Sequence, residues 1–538
     1  MRTRMTDVIS SEEANTWMPG DNILISAPTG VGKSYFCKNI LYDLAKKVKG
    51  KILMLIHRSN CVEQFKYEIE SDGKQDVIDV VTYQSLEYGK LHHTSKQIDL
   101  AKYMYVVSDE FHYFFNDSSF NNKTAISFQM IINSSNAVHV FMSATGENMT
   151  RYMKKYIRDN GLESAIEYEV PFDFSFINSL TFFHKDVTME EFIKEGIEKG
   201  HKGIFFIQSA EKAYKLYSKY KQYCVFNCSA NNGKYYEYVD KEKIKSILRN
   251  QRFEEQFLIT TSCFDAGINI IDRDVKHIVI DIVDIGSLIQ CMGRKRIQDD
   301  NDKIYVYIKV INNQKLAGLK RSMEQKVEMA DYFMKNNYSV EKLIEKYPMQ
   351  NDVNNILYDD LAYDEEGNVI PNSYVKVVNE LMYFKKKEDI IDYTLMLEKY
   401  GKFGYCKYLA KRFGFYDKKT GSYTYRMINE EYELEAYLEK MVTDDVVLLQ
   451  LKDRANLIKK INDLGVKFGI WVEPEMISED SDLYRELLKK AATLNQVLEE
   501  RELDYRIKEF ETSRIVHDSD NGEPKKKKYK NAWKIVHF

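Results

Sequence analysis

The sequence predicts an α/β chain in which two tandem parallel-sheet domains are followed by a mainly helical third region. Three observations carry this. Short apolar runs alternate with amphipathic stretches through roughly the first 310 residues. After about Asn313 the runs become rare and long charged amphipathic stretches replace them. A glycine-rich segment, Ala27-Pro-Thr-Gly-Val-Gly-Lys-Ser34, stands between the first apolar run and the next amphipathic stretch.

The runs fall into two sets. The first comprises 22–27, 51–57, 77–82, 103–108 and 138–142, and the second comprises 203–207, 256–261, 275–281 and 303–309. Residues apolar at consecutive positions, not alternate ones, are what a strand covered on both faces requires. Amphipathic segments such as 35–48 and 210–219 supply the covering helices. A break near 169–178 separates the sets, so the expected domains are 1–172, 173–313 and 314–538.

Composition excludes several classes. With 78 Lys+Arg against 82 Asp+Glu, the formal net charge of −4 rules out a polycation, though not a local basic groove. A hydrophobic fraction of 44% with 30% charged residues excludes collagen-like and disordered chains. No apolar stretch has the roughly 18 residues of a membrane span. The first residues carry charge but no apolar core, so no secretory leader is expected there. Seven scattered Cys indicate reduced thiols and a cytoplasmic setting. Cys224 and Cys228 lack a second ligand pair nearby, which favours packing over zinc.

Residues 27–34 fit the phosphate-binding pattern A/G-x-x-x-x-G-K-S/T. Glycines let backbone N–H groups turn towards a phosphate, and the following helix adds its positive end. Lys33 would reach the terminal phosphates and Ser34 would ligate Mg²⁺, with Thr29, Gly30 and Gly32 shaping the loop. The run at 103–108 ends on Asp109-Glu110-Phe-His112. Asp109 would hold Mg²⁺ and Glu110 would orient and deprotonate the attacking water. Together these two elements describe a nucleoside triphosphatase.

Over roughly residues 20–310 the chain resembles a superfamily 2 helicase of the DEAD/DEAH-box group, in its Asp-Glu-x-His variant. Motif I is 27–34, motif II is 109–112, and Ser143-Ala-Thr145 resembles motif III. The segment from Ile259 through Thr261 and Gly267 to Asn269 resembles motif V, and Gln290-Cys-Met-Gly-Arg294-Lys-Arg296 resembles motif VI. The resemblance implies two RecA-like domains closing on ATP and Mg²⁺, with Arg294 and Arg296 as arginine fingers and Gln290 near the γ-phosphate. Gly267 and Asn269 would help to bind the nucleotide, while His112, Ser143 and Thr145 would couple the ATP and nucleic-acid sites. Arg58, in Leu55-Ile-His-Arg58, together with Thr82 and Thr261, would hold the backbone of a bound strand, which positions it without reading sequence. Each of these three also fits an ordinary strand-end or turn position.

Three departures from the family pattern stand out. The last Arg of motif VI comes one residue early, with Ile297 in its usual place, which leaves Arg296 and Lys295 as rivals for the second finger. No adenine-reading glutamine motif precedes Ala27, so ATP over other nucleotides rests on resemblance. The connection from Gly267 to Gln290 is too short for the strand-splitting hairpin of several relatives.

In the third region, 444–464 and 478–513 read as helices. Aromatics interleave with cations over 399–419, which suits nucleic-acid stacking but better suits a helix with its aromatics turned inward. The tail 524–538 carries six Lys and reads as a solvated end. The expected activity is ATP-driven movement along or unwinding of nucleic acid, DNA favoured and RNA open, in a bacterial or mobile-element setting. The rivals are a duplex-DNA translocase that remodels complexes without separating strands, and a non-catalytic nucleic-acid-binding module.

Overall fold

In the computed structural model the described residues are 3–91, 97–119, 121, 123–162, 165–261, 269–348, 356–363, 369–428, 432–467, 489–501, 503–517 and 524–537. The chain divides into two compact units, Met1–Arg426 and Met427–Phe538.

The first unit holds both predicted sheets. The first is built from β1 (Asn22–Ser26), β2 (Ile52–Ile56), β3 (Ile78–Thr82), β4 (Tyr105–Asp109), β5 (Val138–Ser143) and β6 (Ala165–Glu169), in the order β3-β2-β4-β5-β1-β6. Every neighbouring pair is parallel. Side-chain alternation splits its apolar residues between two cores. Ile23 and Ile25 join Ile52, Met54 and Val140 on one face, while Leu24 joins Leu53, Leu55 and Phe141 on the other. Both β2 and β5 are buried along their whole length, so β2 is apolar at every position and β5 admits only His139 and Ser143 among its apolar residues.

Six consecutive strands of the seven-stranded second sheet are β7 (Ile177–Phe183), β8 (Lys202–Ile207), β9 (Cys224–Asn227), β10 (Phe257–Thr260), β11 (Val275–Asp281) and β12 (Ile304–Lys309), in the order β7-β12-β11-β8-β10-β9, again parallel. All nine predicted runs are strands. Three more, β6, β7 and β9, lacked a clear signal: β6 is a half-exposed edge with Glu at two of five positions, and β9 has only four residues. Cys224 and Cys228 are buried, and burial pushes the Cys224 thiol up to about 12, as packing residues require. Among the described residues no group of three His, Cys, Asp or Glu is placed to hold a metal, and no helix is long and apolar enough to cross a membrane.

The chain leaves the first sheet at Glu169 and enters the second at Ile177. A second tie joins the two domains. Helix Asn313–Lys335 follows β12 and packs on helix Glu380–Lys399, whose Leu381 enters the core of the first domain. Ion pairs Lys123–Asp360 (2.8 Å) and Arg151–Glu388 (2.6 Å) fasten this region to the first domain. Lys385, on the same helix, lies 3.6 Å from Asp284 of the second. Burial opposes the charge of the Lys385 ammonium, but Asp389 and Asp284 more than offset it and raise its pKa.

The third region is helical as expected, with antiparallel hairpins added. One pairs Leu357–Tyr363 with Val369–Val378. Helix Gly404–Arg412 turns Tyr405 inward to 1% exposure, so the aromatic and cationic segment is a packed helix. In the second unit, helices Tyr432–Thr443, Leu451–Lys467 and Ala491–Glu500 share a core with Tyr505, Trp533 and Ile535. The expected solvated tail is instead strand Pro524–His537, paired with Tyr505–His517. Its four consecutive Lys disguise it, while Ala532, Trp533 and Ile535 anchor it. Of the stretch 478–513, part falls outside the described residues; among the described ones Ala491–Glu500 is helical and the end is strand.

Candidate nucleotide site

The loop after β1 is shaped by Gly30 (φ 86°) and Gly32 (φ 96°), left-handed conformations that an L side chain strains to adopt. It delivers Lys33 into the first turn of helix Lys33–Tyr35, where the side chain is only 9% exposed. The Lys33 ammonium donates to Ala27 O at 3.3 Å and to Glu110 Oε1 at 3.2 Å. Ser34 and Thr29 line the same cavity, which encloses about 450 Å³.

β4 ends by presenting Asp109 and Glu110 to that loop. Glu110 itself is left-handed (φ 51°), an uncommon conformation for a side chain of its size. Burial and the neighbouring Glu110 push Asp109 upward. Burial acts the same way on Glu110, but Lys33, then His112 and Arg294, outweigh it and hold that carboxyl below the usual range. Of the pair, Glu110 is therefore the stronger acid and Asp109 the weaker. Asp109 Oδ1 is buried with no hydrogen-bond partner. An oxygen so placed, in a residue that lines the same cavity as Ser34, suits a hard divalent cation such as Mg²⁺.

His112 is the junction of the site. Its Nδ1 lies 2.8 Å from Ser143 Oγ and its Nε2 lies 2.7 Å from Gln290 Nε2. Gln290 also donates to Thr145 Oγ1 at 3.4 Å, and Ser143 Oγ donates to Glu110 Oε2 at 3.4 Å. The donors and acceptors agree on one tautomer: an Nδ1–H donating to Ser143, with Nε2 accepting from the Gln290 amide. Burial lowers the His112 pKa to about 4, overriding the opposing pull of Glu110, so the ring is neutral at physiological pH. A continuous line thus runs from Lys33 through Glu110, Ser143 and His112 to Gln290 on the opposite domain.

The second domain supplies its side chains from helix Ile285–Gly293 and the residues after it. Asp284 caps that helix by accepting from Ser287 N at 2.8 Å. Ile270 forms a parallel bridge with Lys295, accepting from Arg296 N and donating to Arg294 O, both at 2.8 Å. Lys295 and Arg296 are consecutive in this extended segment, so their side chains take opposite sides, while Arg294 still belongs to the turn that ends the helix. Lys295 is buried against Asp302 at 2.6 Å, the two being 0% and 1% exposed. Arg296 donates to Asn269 Oδ1 at 2.6 Å, and its Nη1 stands 3.5 Å from where a Cβ on Gly30 would lie. Arg294 is 4% exposed and lines the phosphate cavity. The early arginine of motif VI thereby faces the phosphate loop and the lysine faces the core. Gly293 passes so close to Thr29 that a Cβ there would overlap its Oγ1.

The structure gathers Thr29, Gly30, Gly32, Lys33, Ser34, Asp109, Glu110, His112, Asn269, Gln290, Arg294 and Arg296 around one cavity, with Ser143 and Thr145 bonded into its wall. Arg58 lines the phosphate cavity. Thr82 accepts from Ser85 N at 3.2 Å and so caps helix Tyr83–Leu91. Thr261 is 7% exposed, and Gly267 lies outside the described residues. Missed by sequence reasoning were His57, paired with Asp117 at 2.9 Å, and the Lys385–Asp284 contact. Neither has a local signal, because each pairs residues far apart in the chain.

Residues 8–148 match the family described as Type III restriction enzyme, res subunit. With two parallel sheets meeting at a phosphate loop, the chain carries a tandem RecA-like fold. Among solved structures, it is similar to S. cerevisiae Dbp5 bound to RNA and ADP BeF3, with 15% identity, coverage of 56% of this chain and 82% of that one, and a TM-score of 0.42. The DEAD-box helicase Mss116 bound to ssRNA and UDP-BeF gives 13%, 64% and 83%, and 0.44. The DUF1998 helicase MrfA bound to DNA and AMPPNP gives 16%, 54% and 46%, and 0.38. Residues 446–516 match a different family, Melibiase. Two curated α-galactosidases share short segments with the chain. AgaSK of Mediterraneibacter gnavus, a bifunctional alpha-galactosidase/sucrose kinase, is 68% identical over 31 residues, which are 6% of this chain and 3% of that protein. AgaA of Geobacillus stearothermophilus is 62% identical over 29 residues, 5% and 4%. The chain thus spans only 3–4% of the length of these curated relatives.

Proposed function

We propose that the chain is an ATP-driven nucleic-acid translocase or helicase, DNA its favoured track and RNA the alternative. The observation that carries this is the unbroken line Lys33–Glu110–Ser143–His112–Gln290, which ties the phosphate loop of one domain to the arginine-bearing helix of the other. Ser34 and Asp109 would hold Mg²⁺, which neutralises phosphate charge when bound. Glu110, kept ionised by Lys33, accepts the proton of the attacking water. An incoming γ-phosphate competes with Glu110 for the Lys33 ammonium and so frees the carboxylate for that task. Arg294 and Arg296 stabilise charge developing on the transferred phosphoryl group, which gives the closed cleft its advantage over the open one. Loss of the γ-phosphate removes the reason for closure, and His112 and Gln290 pass that change between the domains.

A second reading, movement on duplex DNA without strand separation, is favoured by one observation. From Asn269 to Gly293 the chain forms strand β11 and then a helix, with no hairpin between them. Steady-state ATP hydrolysis alone and with single-stranded DNA, duplex DNA or single-stranded RNA tests the proposal, with Lys33→Ala and Glu110→Gln as controls. Stimulation by one polymer, lost in both variants, is expected. Hydrolysis indifferent to all three would break the coupling, and a strand-displacement assay separates the two readings.

A further inference from the structure

A second cavity, of about 410 Å³, adjoins the phosphate cavity and shares Thr29, Gly30 and Arg296 with it. Its walls are largely apolar: Phe172, Phe174 and Phe176 from the link between the domains, Pro28 from the loop, and Met292 and Ile297 from the second domain. The rings of Phe172 and Phe174 are stacked, with centroids 5.8 Å apart and planes at 22°. Phe174 is wedged in turn against Phe413, edge-on at 4.9 Å. The stack is therefore braced from behind, and half-buried Phe172 forms its outer member.

We propose that this cavity holds the base of the nucleotide whose phosphates lie on the loop, by stacking on Phe172 and without reading the base edge. The inference rests on the nucleotide reading above and adds what the sequence lacks, a place for the base. Continuity decides the occupant. A molecule whose phosphates fill the loop and whose ring is flat and apolar on its faces matches two cavities that meet at Thr29, Gly30 and Arg296. Apart from Thr29, which belongs to the phosphate loop, the polar side chains of the wall are committed elsewhere or exposed. Lys295 is paired with Asp302, Arg296 bonds Asn269, and Asp173 accepts from Ser175 N at 2.8 Å in a local turn at the surface. A site that reads a base through buried hydrogen-bonding side chains rejects analogues by factors of roughly 10⁴. Stacking is tolerant of base identity and grows with ring area. ATP and GTP should therefore serve within about tenfold of one another, with pyrimidine nucleotides weaker.

The test uses the full chain and its Phe172→Ala and Phe172→Trp variants. Hydrolysis of ATP, GTP, CTP and UTP is measured, with inorganic tripolyphosphate as a competing inhibitor that has no base. Phe172→Ala should raise KM for ATP and GTP together by about fivefold or more, the range of one lost stacking contact, and change kcat less. It should leave inhibition by tripolyphosphate as it was, and Phe172→Trp should restore KM. Equal KM values in the wild type and Phe172→Ala would overturn the proposal. So would a wild-type preference for ATP over GTP beyond a hundredfold, or an equal weakening of tripolyphosphate. Should the wild type hydrolyse nothing, the motor reading fails instead. Calorimetric titration with ADP and tripolyphosphate then decides the cavity separately, and equal ADP affinity in the wild type and Phe172→Ala overturns it.

Discussion

Closure of the cleft depends on an absent side chain. Gly293 ends the helix that carries Gln290 and lies against Thr29 of the phosphate loop. A methyl group at 293 would overlap Thr29 Oγ1 and stand 3.3 Å from Thr29 Cβ and 3.7 Å from Cγ2. The overlap with the hydroxyl is more than about 1 Å inside an optimal contact. Thr29 is short and branched and cannot swing away as a long side chain would. The clash must be met by separating the two domains, and overpacking of this kind costs about 1–3 kcal/mol. Gly293→Ala should therefore lower kcat/KM for ATP by roughly 5- to 150-fold, the kinetic equivalent of that energy. Thr29→Ala removes the hydroxyl and Cγ2 and leaves the Cβ, so it relieves most of the overlap. In a double-mutant cycle on kcat/KM, Thr29→Ala/Gly293→Ala should recover to within about threefold of Thr29→Ala alone. A double variant whose losses simply add, or a Gly293→Ala enzyme at the wild-type rate, would refute the claim that this close approach sets closure.

Other consequences follow from the same geometry. Glu110→Gln should cut hydrolysis by about 10²–10⁴-fold, the usual share of a general base, while nucleotide binding measured by calorimetry persists. Arg296→Ala and Lys295→Ala should part company. The first should lower kcat with little change in thermal stability. The second should destabilise the fold by about 1.5–3 kcal/mol in denaturant titration, because it removes a buried charge-assisted hydrogen bond while Lys276 at 2.9 Å and Gln298 N at 3.0 Å still hold the Asp302 carboxylate. His139, 1% exposed and beside Asn22 on β1, has its pKa lowered to about 4 by burial. The unfolded chain then binds a proton that the folded one refuses, so this residue's contribution to stability is full above about pH 6.5 and declines down to about pH 4. Over that interval the loss approaches about 3 kcal/mol, readable as a shallower pH dependence of chemical unfolding in His139→Gln.

The core of the fold and the phosphate loop were legible because their signals are local. Consecutive apolar residues announce β2 and the Val140–Met142 part of β5, and glycines at fixed spacing announce the turn before Lys33. Where burial is partial, the signal fades, as at the half-exposed edge strand Ala165–Glu169. Strand Pro524–His537 hid behind its lysines, since only its last turn of alternation, Ala532 to Ile535, is buried. The choice between Lys295 and Arg296 could not be read from order alone. It is made by a backbone bridge from Ile270, 25 positions earlier, and that pairing is tertiary. The same holds for His112: its motif was plain, but its role as the link to Gln290 depends on two domains meeting.

Helix Glu380–Lys399 gives the two sheet domains a bond that the peptide link does not provide. Leu381 sits in the first domain's core, while the helix packs along Asn313–Lys335, which continues from β12 of the second. A gene cut between the codons of exposed Asp173 and Ser175 would yield two polypeptides, the second bringing its own clasp for the first. Each would be incomplete as a catalyst, since one carries Lys33 and Glu110 and the other Gln290 and both arginines. Co-expressed, they should purify together as a single reconstituted enzyme, an assembly whose activity reports whether both gene products are present.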